Sequence, residues 1–386
     1  MTSGEKINIK KLFIQFSIFL MLSITSVFAE TQIEWWHSFE GRLGGLLNEQ
    51  VEKFNASQNS YQVVQVIKGN YIETLNAGIT AFRKKQQPHL LMVFENGTAT
   101  ILGVKGAIKP LYEVMEESGL PFDTEAYIPT IKSYYSTTDG KMLSLPYNSS
   151  TPVLWINKDL MKKAGLNPNM NLTTWSLVGL ALDRAKSEGI PCGLTTTSQS
   201  WIHLENLSAY HNVPFASRAN GFAGLNTSLL FNSPLHVKHL EMMSNWAKED
   251  KFFYAGRGNE GGVNFKAGEC MFFTESSAEY ASIKKDAKFN FEIRPLPYHD
   301  EINANQNTII RGSSLWVMSG HSKDEYKGVA TFINFLSGTD LQAKWHQETG
   351  YLPITMSAIK KTTTDGFYNV NLGADIAGKQ ALAKKP

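Results

Sequence analysis

The sequence has little cysteine and no excess of charge of either sign. Its 386 residues include two cysteines, 37 basic side chains and 35 acidic ones. Without a basic excess we expect no nucleic-acid partner, and two cysteines are too few for a disulfide scaffold or a cysteine-based zinc site. Internal repeats and low-complexity linkers are also missing. These absences predict a folded protein without a structural metal or a cofactor.

Long apolar runs are scarce as well, and the longest begins near the N-terminus. Lys6, Lys10 and Lys11 precede the mostly apolar segment 12–28, which ends in a small-x-small pattern at 27–29. Polar residues interrupt this segment, so it makes a poor membrane-spanning helix. We therefore predict a cleavable export signal over residues 1–29 rather than a membrane anchor. The remaining residues have the length of about two domains.

The two cysteines, Cys192 and Cys270, both lie in apolar runs with strand-like composition. An exported pair can form a disulfide bond in an oxidising compartment. Two buried thiols explain the same pattern equally well. The sequence leaves both alternatives open.

Strand and helix patterns alternate along the exported part of the chain. Between Ile33 and Phe94 the order is strand, helix, strand, helix, strand, and a similar alternation resumes after Pro146. This rhythm predicts an α/β fold with mainly parallel sheets flanked by helices. Because no flexible linker separates the halves, we expect two lobes joined by short crossings, with a ligand cleft between them.

Several enzyme motifs are present without the context they need. Residues 256–261 match a dinucleotide-binding fingerprint outside any N-terminal βαβ unit. Ser282 and Ser357 each begin a Ser-x-x-Lys motif, but the other motifs of penicillin-recognising acyl transferases are missing. His236 and His239 are one helical turn apart without a metalloprotease motif, and we expect them on a solvated helix face. Binding is therefore favoured, with a secreted hydrolase or acyl transferase as an alternative.

Six local stretches are more specific than generic scaffolding. In their order and spacing they closely resemble the glycerol-3-phosphate-binding periplasmic subunits of Ugp-type ABC importers, and the similarity extends from about residue 33 to the end of the chain. The stretches are residues 36–41 (WHSFEG), 68–71 (KGNY), 94–100 (FENGTAT), 146–154 (PYNSSTPVL), 315–318 (LWVM) and 345–355 (WHQETGYLPIT).

The resemblance implies a two-lobed Venus-flytrap protein of the maltose-binding type, located in the periplasm and monomeric. Its ligand would be sn-glycerol 3-phosphate or a glycerophosphodiester such as glycerophosphocholine, delivered to membrane permease subunits. The alternative within the same fold is a binder of neutral sugars. We expect residues 30–144 and 308–339 to form the N-lobe, and residues 145–307 and 340–386 to form the C-lobe.

The same resemblance implies a set of ligand contacts. Glu95 would accept hydrogen bonds from the glycerol hydroxyls. Ser150 and Ser276 would contact the phosphate, together with the backbone N–H of Gly312. Trp175 would pack on the ligand from the cleft wall. The complete predicted set is Tyr71, Glu95, Ser150, Trp175, Ser276, Gly312 and Tyr351.

The sequence departs from the family pattern at three points. Glu275 stands where the family has a small residue, which adds negative charge near the anion site. The family also continues beyond the last residue of this sequence, through a region with an arginine expected to contact phosphate. Either the chain is truncated, or other residues rebuild the anion site. Arg311, where relatives carry a second glycine, is the candidate cation, and its alternative is a solvent-facing side chain beside the cleft.

Overall fold

The computed structural model describes residues 30–221, 223–224, 226–256, 258–301 and 306–382. The predicted export signal at 1–29 lies outside these residues. Across the described ranges, no helix combines the length and the apolar character needed to cross a membrane.

Ten strands of the described residues form two sheets of five strands each. The first sheet has the order β2-β1-β3-β10-β4, and the second has the order β7-β6-β8-β5-β9. The strands are β1 Thr31–His37, β2 Tyr61–Ile67, β3 Leu90–Phe94, β4 Leu145–Ser150, β5 Pro152–Asn157, β6 Cys192–Thr196, β7 Phe252–Phe253, β8 Cys270–Ser276, β9 Phe291–Pro295 and β10 Arg311–Val317.

Helices connect the strands, and local sequence signals fix several helix starts. Asn70 and Glu73 form a reciprocal capping box at the start of α2, and Ser322 and Glu325 form another at the start of α12. The helices are α1 Gly41–Ser57, α2 Tyr71–Arg83, α3 Thr98–Gly103, α4 Leu111–Ser118, α5 Pro129–Tyr134, α6 Lys158–Lys163, α7 Trp175–Ser187, α8 Asn206–Tyr210, α9 Pro234–Lys248, α10 Glu260–Lys266, α11 Tyr280–Asp286, α12 Lys323–Leu336, α13 Thr339–Thr349, α14 Met356–Thr364, α15 Phe367–Val370 and α16 Ile376–Ala381.

The predicted α/β class is confirmed, but both sheets are mixed rather than mainly parallel. In the first sheet β1 runs parallel to β2 and β3, whereas β10 is antiparallel to β3 and β4. In the second sheet β6 runs parallel to β7 and β8, whereas β5 is antiparallel to β8 and β9. The antiparallel pairings belong to β5 and β10, the strands that arrive from the other sheet.

The chain crosses between the sheets near the site predicted to bind ligand. Thr151 alone separates β4 from β5, and its side chain is buried. A second crossing connects β9 to β10, and near Tyr351 the chain passes from α13 towards α16, which packs on β5 and β9. Since β4 pairs with β10, residues 145–150 belong to the first sheet, whereas the sequence placed them in the C-lobe.

Cys192 and Cys270 form a disulfide bond, which resolves the alternative left open by the sequence. Each cysteine is the first residue of its strand, and the two are directly paired in the parallel ladder of β6 and β8. Their Cα atoms are 4.4 Å apart. The bond therefore joins neighbouring strands inside the second sheet.

The expected solvated face of α9 is wrong, because His236 and His239 are both buried. His236 makes hydrogen bonds of 2.7 Å to two serine hydroxyls. The ring of His239 lies between those of His203 and His299, with nitrogen–nitrogen distances of 3.0 Å on each side. The two histidines of α9 are thus part of a buried polar network in the second sheet's region.

Candidate functional site

The predicted ligand residues of the first sheet meet beside the Thr151 crossing. Glu95 begins a short 3-10 turn directly after β3. Across the neighbouring ladder, Arg311 pairs with Ser150 and Gly312 pairs with Ser149. Strand ends in α/β folds are the usual place for a ligand cleft. The pairing of these strands therefore brings the side chains together at one edge of the sheet.

Glu95 is buried and already has two partners within the protein. Its Oε2 accepts a 3.1 Å hydrogen bond from the backbone N–H of Gly312, and its Oε1 lies 3.3 Å from the Nε of Arg311. Burial raises the pKa of Glu95, and the charge of Arg311 opposes that rise. The Gly312 N–H, predicted to serve a phosphate, is donated to this carboxylate in the structure.

Gly312 occupies a position that only glycine can fill. Its φ is +143°, in a region that L side chains rarely adopt. A Cβ atom built there would lie 1.6 Å from the carbonyl oxygen of Asn148. The close approach of β4 and β10 therefore depends on the absence of a side chain.

Asn148 connects two of the predicted ligand residues, and sequence reasoning missed its role. Its Nδ2 donates to the phenol oxygen of Tyr71 at 3.1 Å, and its side chain also lies near the phenol of Tyr351. Ser313 donates its hydroxyl to the Asn148 side-chain oxygen. Burial raises the pKa of both tyrosines, which keeps their phenols protonated as donors. Asn148 lies inside the PYNSSTPVL stretch, and this motif could have identified it as a site residue.

The two serines predicted to bind phosphate flank the crossing. Ser150 is buried, and its hydroxyl donates to the Arg311 carbonyl at 3.4 Å. Ser276 pairs with Pro152 across β5 and β8. Its Oγ accepts the N–H of Ala278 at 3.1 Å, which leaves the hydroxyl proton available for another acceptor.

Arg311 reaches from the first sheet to the loop that follows β6. Its guanidinium donates to the hydroxyl of Ser198, and its Cζ lies 5.6 Å from the ring centre of Trp201. Its side chain is 42% exposed, so it contacts protein and solvent together. The guanidinium therefore bridges the Glu95 carboxylate of the first sheet and Ser198, which follows β6 of the second.

The position of Trp175 does not support its predicted role as a ligand contact. It is 2% exposed and packs against His239 and Trp246 in the core of the second sheet's region. Trp201 is the tryptophan that lies beside Arg311, and sequence reasoning missed it. The available signal was its place soon after β6 ends, since ligands bind beyond the carboxyl ends of strands.

The serines of the two Ser-x-x-Lys motifs lack an assembled base. Ser282 accepts a 2.9 Å hydrogen bond from Lys266, whose ammonium is also 3.5 Å from Glu279. Ser357 hydrogen-bonds two threonine hydroxyls. A charged ammonium or a hydroxyl cannot take the serine proton.

Residues 49–367 match the family model of bacterial extracellular solute-binding proteins. Since this range covers most of the chain, the protein belongs to that family. It is a binding protein and not an enzyme.

Curated proteins of similar sequence are also binding proteins. The chain is 46% identical over 375 residues to the sn-glycerol-3-phosphate-binding periplasmic protein UgpB of Yersinia pestis, covering 96% of this chain and 85% of the relative. It is 46% identical over 363 residues to the protein of that name from Brucella abortus, covering 94% and 83% of the two chains.

Solved structures confirm the fold at lower sequence identity. UgpB of Mycobacterium tuberculosis in complex with glycerophosphocholine superposes with a TM-score of 0.77 and 20% identity, covering 92% of this chain and 87% of that one. The cyclic alpha-maltosyl-1,6-maltose binding protein of Arthrobacter globiformis has a TM-score of 0.76, the same identity and the same coverage. The shared architecture is the two-lobed one predicted from the sequence.

Proposed function

We propose that this chain is the periplasmic binding subunit of an ABC importer and captures sn-glycerol 3-phosphate or a glycerophosphodiester. The observation that carries the proposal is the convergence of Tyr71, Glu95, Ser150, Arg311 and Tyr351 at the crossing between the sheets. The similarity to the Yersinia and Brucella proteins over nearly the whole chain supports the ligand class. Export would follow from cleavage after residue 29.

Different groups of the site would hold the two ends of the ligand. The guanidinium of Arg311 and the free hydroxyl proton of Ser276 suit phosphate oxygens. The phenol protons of Tyr71 and Tyr351 are further donors for the same anion. The Glu95 carboxylate suits the glycerol hydroxyls as a hydrogen-bond acceptor, and its ion pair with Arg311 offsets its repulsion of the nearby phosphate.

Capture would proceed by closure of two domains about the crossings. We assign β1–β4, β10 and α12 to one domain, and β5–β9 and α16 to the other. Ligand would shift the population towards the closed form, in which a monomer meets the permease subunits. Small-angle scattering should show a smaller radius of gyration on adding glycerol 3-phosphate, and an unchanged radius at saturation would contradict closure.

Calorimetry with three ligands tests the proposal against its main rival. We expect heat of binding with glycerol 3-phosphate or glycerophosphocholine and none with maltose. Binding of maltose alone would favour the neutral-sugar alternative. If none of the three bound to folded protein, the proposed ligand class would be wrong.

A further inference from the structure

One side chain of the first domain makes direct contact with the second domain near the crossings. Arg311 is the first residue of β10, and its guanidinium donates a hydrogen bond to the hydroxyl of Ser198, which follows β6. Its Cζ also lies 5.6 Å from the ring centre of Trp201, within the range of a cation–π contact. These two contacts form the Arg311 bridge. They join the two bodies whose relative rotation would open or close the cleft.

The bridge is held firmly on the side of the first domain. The Nε of Arg311 lies 3.3 Å from Oε1 of Glu95, whose side chain is 7% exposed. The other oxygen of that carboxylate accepts the backbone N–H of Gly312. A long arginine side chain normally loses rotamer entropy when it makes a contact. Because the pairing with Glu95 already restricts the guanidinium, less entropy is lost when it also contacts the second domain.

The second domain holds its side of the bridge in an unusual backbone conformation. The φ angle of Ser198 is +46°, in the left-handed region that residues with a side chain rarely adopt. The carbonyl of Ser198 accepts the N–H of Ile202 at 3.1 Å, and the ring of Trp201 is buried with Ile202, Tyr210 and Leu296 in a small hydrophobic cluster. Non-glycine residues in this conformation are concentrated at functional sites. The loop therefore fixes both groups that Arg311 contacts.

Opening of the cleft would break the bridge. The proposed rotation moves β10 with the first domain and the loop after β6 with the second. In the second sheet β6 is two strands away from β5, which places Ser198 about 10 Å from the Thr151 crossing. A displacement of about 1–2 Å at that distance is enough to remove a hydrogen bond. The bridge therefore belongs to the closed arrangement, and it forms without a ligand.

We propose that the Arg311 bridge stabilises the closed form of this protein before any ligand binds. The inference rests on the domain closure of the proposed function, and it gives Ser198 and Trp201 a positioning role rather than contact with the ligand. The guanidinium keeps further N–H donors, so a ligand anion can bind beside the bridge. A protein that is already partly closed uses less of its ligand-binding energy for closure, and its apparent affinity rises accordingly.

Distances between two spin labels measure the closed and open populations directly. Asn76 of α2 and Tyr254, which follows β7, are exposed and belong to different domains. The two native cysteines are bonded to each other, so the labels attach only to Asn76→Cys and Tyr254→Cys. Double electron–electron resonance then gives the populations without ligand and with glycerol 3-phosphate. We expect the ligand-free protein to contain a population with the distance seen in the presence of ligand.

Variants of the second domain test the bridge without altering the charge of Arg311. Ser198→Ala removes the hydrogen bond and should lower the ratio of closed to open ligand-free molecules about fivefold. Trp201→Phe keeps an aromatic ring with a weaker cation–π contact, so it should lower the ratio less. Ser200→Ala is the matched control, because Ser200 is exposed and its side chain does not cap the turn that follows. Circular dichroism melting would confirm that each variant is folded.

A double-variant cycle shows whether Ser198 acts through Arg311. In the Arg311→Ala protein, which has no guanidinium at this position, Ser198→Ala should have no further effect on the ratio. An equal effect of Ser198→Ala with and without the guanidinium would mean that Ser198 acts on its own loop alone. That result would overturn the bridge.

The outcomes distinguish this inference from the proposed function. If the ligand-free protein were entirely open, or if Ser198→Ala left the ratio unchanged, the bridge would be wrong, and closure on glycerol 3-phosphate would still support the proposed function. If Ser198→Ala opened the protein and glycerol 3-phosphate failed to close it again, the bridge would stand and the proposed ligand would be wrong.

Discussion

The regions around the two sheets have the same number of strands but are stabilised by different chemistry. The first sheet encloses an aromatic cluster in which Phe332 contacts Trp35 and Phe54. The second contains the Cys192–Cys270 disulfide and five of the nine histidines, all buried. Apolar packing does not depend on redox state or on protonation, whereas disulfides and neutral histidines do. Buried His37 in β1 makes the first region sensitive to acid as well, since burial lowers its pKa to about 4. The second region should therefore differ most in its response to reduction, and it should lose more stability in acid because it holds more buried histidines.

The largest expected effect is a cavity in the first region. Phe332 is fully buried, so Phe332→Ala should lower the free energy of unfolding by about 3–5 kcal/mol. Urea unfolding would measure the loss, which should be the same with and without a reducing agent. A loss confined to reducing conditions would contradict the assignment of this residue to a purely apolar core.

Removal of the disulfide should act on the second region. The disulfide joins two residues that are 78 positions apart in the sequence. Replacing both cysteines by serine removes this link and should lower the free energy of unfolding by about 4 kcal/mol. Hydrogen exchange should accelerate in β6 and β8 and remain unchanged in β1 and β3. Equal acceleration in both sheets would show that the two regions unfold as one unit.

Acid should also weaken the second region through its histidines. Burial lowers the pKa of His203 from 6.5 to about 4, so the ring is neutral when folded and becomes protonated near pH 6.5 when unfolded. The contribution of His203 to stability is therefore complete above pH 6.5. As the pH falls towards 4, this side chain should lower the free energy of unfolding by about 3 kcal/mol.

Urea unfolding between pH 7 and pH 4 would measure that loss. His203→Gln should flatten the pH dependence, while His321→Gln, next to the first sheet, serves as the control. A pH dependence that His203→Gln leaves unchanged would assign the acid sensitivity to other groups.

The smallest expected effects concern the boundary where the two regions meet. Glu95→Gln should weaken recognition of the glycerol hydroxyls, and Ser276→Ala, which removes a free hydroxyl proton, should weaken the phosphate end, each by about 1–3 kcal/mol of binding free energy. Competition with glycerol and with inorganic phosphate should show opposite sensitivities to the two changes. If both variants bound like the parent, the ligand would lie elsewhere in the cleft.

Local signals predicted most of the elements, because they depend on neighbouring residues. The alternation of strand and helix predicted between Ile33 and Phe94 is observed as β1, α1, β2, α2 and β3. The direction of β10 and the pairing of the cysteines were not predicted. Both depend on contacts between segments far apart in the chain, which periodicity does not encode.

The predicted site residues that lie together in the structure belong to sequence motifs at or near the ends of strands. Tyr71, Glu95 and Gly312 lie close together in the structure, and their role as ligand contacts stays a prediction. Trp175, predicted to line the cleft, is a core residue. Trp175 and Trp201 are both aromatic residues near the ends of elements, and composition cannot distinguish them. Both are buried, and they differ in what they contact: Trp175 packs against Trp246 of α9, whereas Trp201 lies beside Arg311.

The crossing at Thr151 has a mechanical consequence. When two bodies rotate about crossings that lie close together, displacement grows in proportion to distance from them. Ser150 and Ser276 lie directly beside Thr151 and would hardly move, whereas the outer rims of both bodies would travel furthest. Under the proposed closure, the groups proposed to bind the ligand lie close to the axis of rotation, so a small rotation there would become a large displacement at the far surface.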